Sequence, residues 1–396
     1  MPSPDPTDDA VPFEAPPVPA GQRPNILMLF SDEHNAFLSG FMGHSVVETP
    51  NLDRLAAEGV TFDNAYCNSP LCSPSRQSFM AGLHCHEIGM WNNTAAMPPD
   101  TVTWAHMLSA AGYETSLFGK MHFNGYQKMY GFDRRPVLEG NDAGQSFYSW
   151  GLRTSHVWTD PLPYTTGGGG MQGGLRRAGA DTPQRCPIFR RDIEVRDGII
   201  ADLRAKAETG FDQPWAICAG FVLPHPPWKA REDILERYRG RGDLPVNIEG
   251  AGRDTCDRYI QQYFDNPGEL PESVIRAARE VYFALITEFD EHCGMILDCL
   301  EQTGLADNTV VFYFSDHGEM AGEHGLWAKV TLLESSSRVP MVARWRGHYP
   351  ADRRVAVPVS LVDLYPTFLD IAGTELPPPM YTNGPVSYTH LTLPTN

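Results

Sequence analysis

No stretch of the chain holds the ~18 uninterrupted apolar residues a membrane-spanning helix needs, and no basic segment leading into an apolar one opens it. Basic residues are scarce: 31 Lys and Arg face 49 Asp and Glu, for a formal net charge of −18. So acidic a surface argues against nucleic acid or an anionic membrane as the main partner. It still permits an anionic small substrate in a locally basic pocket. The eight cysteines form no Cys-x-x-Cys pair, which removes the usual zinc and disulfide frameworks and points to a reducing, cytoplasmic setting. The glycine run 167–170 lacks the Gly-Lys-[Ser/Thr] of a phosphate loop and reads as part of a surface insertion over residues 134–190. No internal repeat is visible.

What the chain does have is room for a large core, at 396 residues with 42% hydrophobic content. Its 36 glycines and 34 prolines predict long ordered loops of the kind that carry function. Residues 1–23, rich in Pro and Asp, are expected to be a disordered tail. The pattern predicts strands at 25–30, 60–62, 113–118, 215–223, 309–314 and 339–345. Helices are expected at 50–58, with Thr49 as N-cap and Pro50 at N1, and at 101–111, 272–302 and 361–372. This alternation predicts an α/β fold with a large mixed, mostly parallel sheet between helices.

The chemistry-bearing residues cluster at the ends of the apolar runs. Asp32 with Glu33, Lys120 with His122, His225, and Asp316 with His317 each follow a predicted strand. A parallel sheet collects such ends along one edge, where ligands bind. Two carboxylates and a histidine suit a divalent cation, while lysines and further histidines suit a tetrahedral oxyanion and its leaving group. Each residue also has a plainer reading, for instance Cys72 as an ordinary buried thiol, His225 as a rigid turn between prolines, or Lys329 as a solvated cation. Trp91, Asn92, Asn93, Asn124, Trp228 and Trp327 read more readily as packing than as pocket, and Glu323 and His324 as supports one step behind the site or as loop braces.

Between these ends lies Cys72-Ser-Pro-Ser-Arg76. It resembles the signature of the type I sulfatases of the alkaline-phosphatase superfamily, in which the cysteine is oxidised to Cα-formylglycine. Pro24-Asn-Ile-Leu27, Thr49 to Leu55, Gly119-Lys-Met-His122, Ser315-Asp-His-Gly-Glu319 and Gly322 to Lys329 match in the same order, so the resemblance covers about 24–375. It implies that Cys72 becomes nucleophile and metal ligand, that Arg76 holds the hydrate and the carboxylates, and that Asp32, Asp316 and His317 bind a divalent cation. His122, beside Lys120, would deprotonate the second hydroxyl of the hydrate. His225 and Lys329 would bind sulfate and protonate the leaving oxygen. A formylglycine-generating enzyme is the implied partner, and a homo-oligomer is compatible with the family.

Two departures stand out. Asp32-Glu33 replaces an Asp-Asp pair, leaving Glu33 as a candidate further ligand, and Asp316-His317 replaces Asp-Asn. The Asp-His form is closer to choline sulfatases and phosphonate monoester hydrolases, and its nitrogen donor suits manganese or another transition ion beside calcium. The expected activity is sulfate monoester hydrolysis. The alternatives are phosphonate monoester or phosphodiester hydrolysis at the same site, or an unmodified, truncated homologue that only binds sulfate esters. Residues 386–396 back-translate into the end of a sequencing-library adapter. The expectation is therefore a catalytic domain over 24–385, an adapter-derived tail, and loss of the family's small antiparallel C-terminal subdomain.

Overall fold

The computed structural model describes residues 23–139, 170–182, 186–248, 258–261 and 270–374. The tails expected at 1–23 and 386–396 lie outside these residues, apart from Arg23, as does most of the proposed insertion. In chain order the strands are β1 (Asn25–Asp32), β2 (Val60–Phe62), β3 (Ala65–Tyr66), β4 (Glu114–Gly119), β5 (Arg134–Leu138), β6 (Gly179–Asp181), β7 (Trp215–Pro224), β8 (Lys229–Arg231), β9 (Thr309–Ser315), β10 (Arg338–Val339), β11 (Met341–Arg344), β12 (Arg353–Val355) and β13 (Val359–Ser360). Eight of them form the main sheet, in the order β12-β2-β11-β9-β1-β7-β4-β5. All its pairings are parallel except those of β11, which runs antiparallel to both β9 and β2. The expected α/β architecture is thus the observed one.

The apolar run of β1 is continuous because both faces of the sheet are covered. Leu27 and Leu29 pack with Ile217, Ala219, Val311 and Tyr313 under the helices Pro187–Thr209 and Glu272–Gln302. Ile26, Met28 and Phe30 pack with Ala216, Cys218, Val310, Phe312 and Phe314 under the helices Cys72–Ala81, Trp104–Ala110 and Leu364–Ile371. Each large side chain so buried contributes roughly 1.5–3 kcal/mol. No helix among the described residues is long and apolar enough to cross a membrane.

Two local expectations need correction. Thr49 occupies the N-cap position of the helix Pro50–Ala57 without capping it through its side chain. Its hydroxyl is committed to Gly40 N and Asp53 Oδ1, both at 2.8 Å. The first turn is capped instead by Asp290 of the long helix, whose carboxylate accepts from Asn51 N at 3.1 Å and Leu52 N at 2.8 Å. The stretch 134–190 is also not wholly an insertion: Arg134–Leu138 is the edge strand of the main sheet, and the helix on the sheet's face begins at Pro187.

Close backbone approach shapes the sheet edge near the site. A Cβ on Gly220 would lie 1.9 Å from Lys120 O, and Gly119 has φ +81°. Glycine at both positions lets β4 and β7 stay together as the chain turns off the sheet at Lys120.

Candidate active site

Strand order explains which side chains meet. β9, β1, β7 and β4 are consecutive neighbours in the sheet. Ser31 pairs with Ser315, so Asp32 and Asp316 leave adjacent strand ends side by side. Next along the same edge come His225 after β7, then Lys120 and His122 after β4. Cys72 and Arg76 come from the helix Cys72–Ala81, all of whose residues are buried, with Cys72 at its first position. Gly82 in the left-handed conformation stops that helix.

Arg76 is fully buried and ties the edge together. Its Nε donates to Asp316 Oδ2 at 2.7 Å, Nη2 to Asp32 Oδ2 and Ser31 O at 3.2 Å, and Nη1 to Lys120 O at 2.9 Å. The guanidinium stacks over Phe30 at 4.2 Å from the ring centroid. Lys120 Nζ contacts Asp32 Oδ2. Ser75 Oγ donates to Asp316 O at 2.5 Å.

Around Cys72 Sγ lie His317 Nε2 at 3.2 Å and Asp32 Oδ1 at 3.8 Å. Donor atoms of Asp32, Cys72, Asp316 and His317 all lie within 4.8 Å of one another, and all four residues are buried. His317 Nδ1 is 2.9 Å from Gly318 O. Donation there places the lone pair on Nε2, facing the cluster, as a metal-binding imidazole requires. Burial pushes the Cys72 thiol up, but Lys120, Lys329 and His317 outweigh it, and a hydrogen bond from His122 adds to them, so the thiol is held well below its ordinary value. Asp32 is likewise held down: burial and Cys72 raise it, while Lys120, His225 and Arg76 prevail.

A second group forms on Glu33. Its Oε2 lies 2.6 Å from Lys329 Nζ and 3.2 Å from His225 Nε2. His225 Nδ1 is 2.6 Å from Pro226 O. With Nδ1 donating, Nε2 and Oε2 need a proton between them. Glu33 also faces Glu319. Burial and that second carboxyl raise the Glu33 carboxyl well above its ordinary value, against the pull of Lys329.

The residues proposed as catalytic or metal-binding thus lie close together. Asp32, Cys72, Arg76, Lys120, Asp316 and His317 form one connected set of contacts, His122 faces Cys72, and His225 and Lys329 meet on Glu33. Glu323 accepts from Val246 N and Asn247 N and so braces a loop, while Trp228 and Trp327 pack against each other in the core. Several supporting residues escaped the sequence reading. Tyr282 OH donates to Glu33 O at 2.5 Å, Glu139 Oε2 accepts from His122 N at 2.7 Å, and Glu319 Oε1 accepts from Ala328 N at 2.6 Å. Tyr282 and Glu139 sit in unremarkable sequence and carry no local signal. Glu319 lies inside Ser-Asp-His-Gly-Glu and was open to notice.

The family model described as Sulfatase matches residues 24–374. Choline-sulfatase of Rhizobium meliloti (strain 1021) is 31% identical over 369 residues, 89% of this chain and 68% of that protein. Arylsulfatase K of Bos taurus is 30% identical over 374 residues, 89% of this chain and 63% of its own length. The chain thus spans about two thirds of the length of these curated relatives. Among solved structures, the phosphonate monoester hydrolase SpPMH from Silicibacter pomeroyi superposes with a TM-score of 0.75 at 23% identity, over 94% of this chain and 78% of that one.

Proposed function

Because the chain belongs to the sulfatase family, we propose that it hydrolyses a sulfate monoester, with a nucleophile made from Cys72 beside a divalent cation. The observation that carries this reading is the convergence on Cys72 of two carboxylates and an imidazole nitrogen, flanked by Lys120, His122, His225 and Lys329. Asp32, Asp316, His317 and the modified Cys72 would hold the cation, because their donor atoms lie close together and His317 Nε2 faces them. When bound, the cation supplies charge that acidifies a hydroxyl and polarises the sulfate.

A thiol suits this chemistry poorly, since a thio-adduct of sulfate has no easy exit. Oxidation of Cys72 by a formylglycine-generating enzyme, with dioxygen as external oxidant and expulsion of the sulfur, would give an aldehyde whose hydrate carries two hydroxyls on one carbon. One hydroxyl oxygen bonds to sulfur as the S–O bond to the alcohol breaks. Deprotonation of the other re-forms C=O and breaks the C–O bond to sulfate, and water restores the hydrate. Asp316 takes the nucleophile's proton. His122, beside Lys120, takes the second. Lys329 and His225 bind the sulfate oxygens and protonate the leaving alkoxide, and Arg76 holds the two carboxylates in place.

The test is turnover of an aryl sulfate, choline sulfate and phenyl phosphonate by protein of confirmed formylglycine content. Sulfate esters are expected to lead in kcat/KM by about 100-fold or more, roughly 2.7 kcal/mol of differential transition-state binding. The Asp316-His317 pair is equally compatible with one rival, phosphonate or phosphodiester hydrolysis, and a lead for phenyl phosphonate would establish it. Turnover of none of the three would defeat both readings. A second expectation concerns the ion. His317→Asn replaces a nitrogen donor with an oxygen donor and should move the preference from Mn²⁺ towards Ca²⁺. An unchanged ranking in competitive titrations would remove His317 from the ligand set.

A further inference from the structure

Glu33 stands where the resemblance offers one more cation ligand, yet it falls outside the donor group of Asp32, Cys72, Asp316 and His317. It lies instead in a second close group with Asp32 and His225, where Oε2 is already engaged and Oε1 has no hydrogen-bond partner among the described residues. Oε2 faces both Lys329 Nζ at 2.6 Å and His225 Nε2 at 3.2 Å. A divalent cation on that same oxygen would stand beside an ammonium in a buried, weakly screened position, where like charges repel strongly.

The main chain fixes where this side chain leaves. Glu33 has φ 66°, a left-handed conformation that non-glycine residues seldom adopt. It is held there from both sides. Its N–H donates to Asp316 Oδ1 at 3.1 Å, and its carbonyl accepts from Tyr282 OH at 2.5 Å. Such a conformation persists where the surroundings over-determine it, and it concentrates at functional sites. The Lys329 side is held as well: Ala328 N donates to Glu319 Oε1 at 2.6 Å and Val330 N to Pro70 O at 3.1 Å. Two cationic or proton-carrying groups from distant parts of the chain therefore meet on one carboxylate oxygen.

We propose that Glu33 is a positioning residue that fixes Lys329 and His225 as a pair on the leaving-group side of the site, and is not a ligand of the cation. This rests on the sulfatase reading, in which that pair protonates the departing alkoxide. A residue acting through this pair matters most where the alcohol needs a proton in order to leave. Esters of acidic phenols depart with little help, whereas alkyl sulfates need it.

The experiment compares the wild-type protein with Glu33→Gln and Lys329→Ala, each checked for formylglycine content. Mn²⁺ and Ca²⁺ are titrated into metal-stripped protein, and kcat/KM is measured across aryl and alkyl sulfates of graded leaving-group pKa. Glu33→Gln is expected to bind both ions within about 3-fold of wild type while losing about 10- to 100-fold for the least acidic alcohols, and far less for nitrophenyl sulfate. Lys329→Ala should show the same gradient on top of a uniform loss from its contact with the sulfate oxygens, and the double variant should lose less than the product of the two single losses. Loss of ion binding in Glu33→Gln, or an equal loss with every leaving group, overturns the assignment. A wild-type protein that binds neither ion and cleaves no ester would instead bring down the functional reading beneath it.

Discussion

Cys72→Ala is expected to lower kcat by at least about 10⁴-fold, the scale on which enzymes lose rate when a nucleophile is removed, while the melting temperature stays within a few degrees. The two halves of this expectation have separate causes. Activity goes because no other side chain can both attack sulfur and later release the sulfate. Stability holds because the cations around Cys72 keep other partners: Lys120 rests on Asp32, Lys329 on Glu33, and Arg76 on Asp32 and Asp316. Only a small buried side chain is lost, at the first position of its helix. Steady-state assays beside thermal melts check both halves. Residual turnover above about 1% of wild type would be incompatible with a nucleophile derived from Cys72.

Arg76→Met should be the most damaging change for stability. Methionine fills much of the same space, but it leaves Asp32 and Asp316 buried without the guanidinium that pairs with both. Removing one partner of a buried ion pair costs about 3–5 kcal/mol, which translates to a fall on the order of 10 °C in a domain of this kind. Both carboxylates are proposed cation ligands, so saturating Mn²⁺ or Ca²⁺ should recover part of the loss by mass action. Differential scanning calorimetry with and without the ion reads this directly. A melting temperature unchanged in metal-free protein would mean that Arg76 does not hold the edge together.

The parts of this site legible in the sequence are those that follow buried strands. Asn25–Phe30, Trp215–Leu223 and Thr309–Phe314 are uninterrupted apolar runs because helices cover both faces of the sheet, and the polar residues that end them are brought together by strand order. The helix Glu272–Gln302 was readable to the residue because its apolar spacing runs unbroken to a glycine stop. The helix that carries Cys72 was not. Its sequence Cys-Ser-Pro-Ser-Arg-Gln-Ser-Phe-Met-Ala has no apolar stripe, because it is buried on every side, and Arg76 and the Gln77 amide nitrogen find their partners in Asp316, Lys120 O and Met121 O from elsewhere in the fold. The cap that Asp290 provides was invisible for a similar reason, since it reaches Asn51 and Leu52 from a helix more than 200 residues away. Local pattern shows where a group leaves a strand. It does not show which distant backbone will need that group.

The central claim concerns what stands at position 72 in active protein. Mass spectrometry of the peptide spanning Cys72, from protein coexpressed with a formylglycine-generating enzyme and shown to cleave a sulfate ester, tests it most directly. The account requires a peptide about 18 Da lighter than the unmodified thiol form, detected as the aldehyde, with activity rising in proportion to that fraction. Full activity from protein whose peptide still carries a thiol that iodoacetamide alkylates would contradict it.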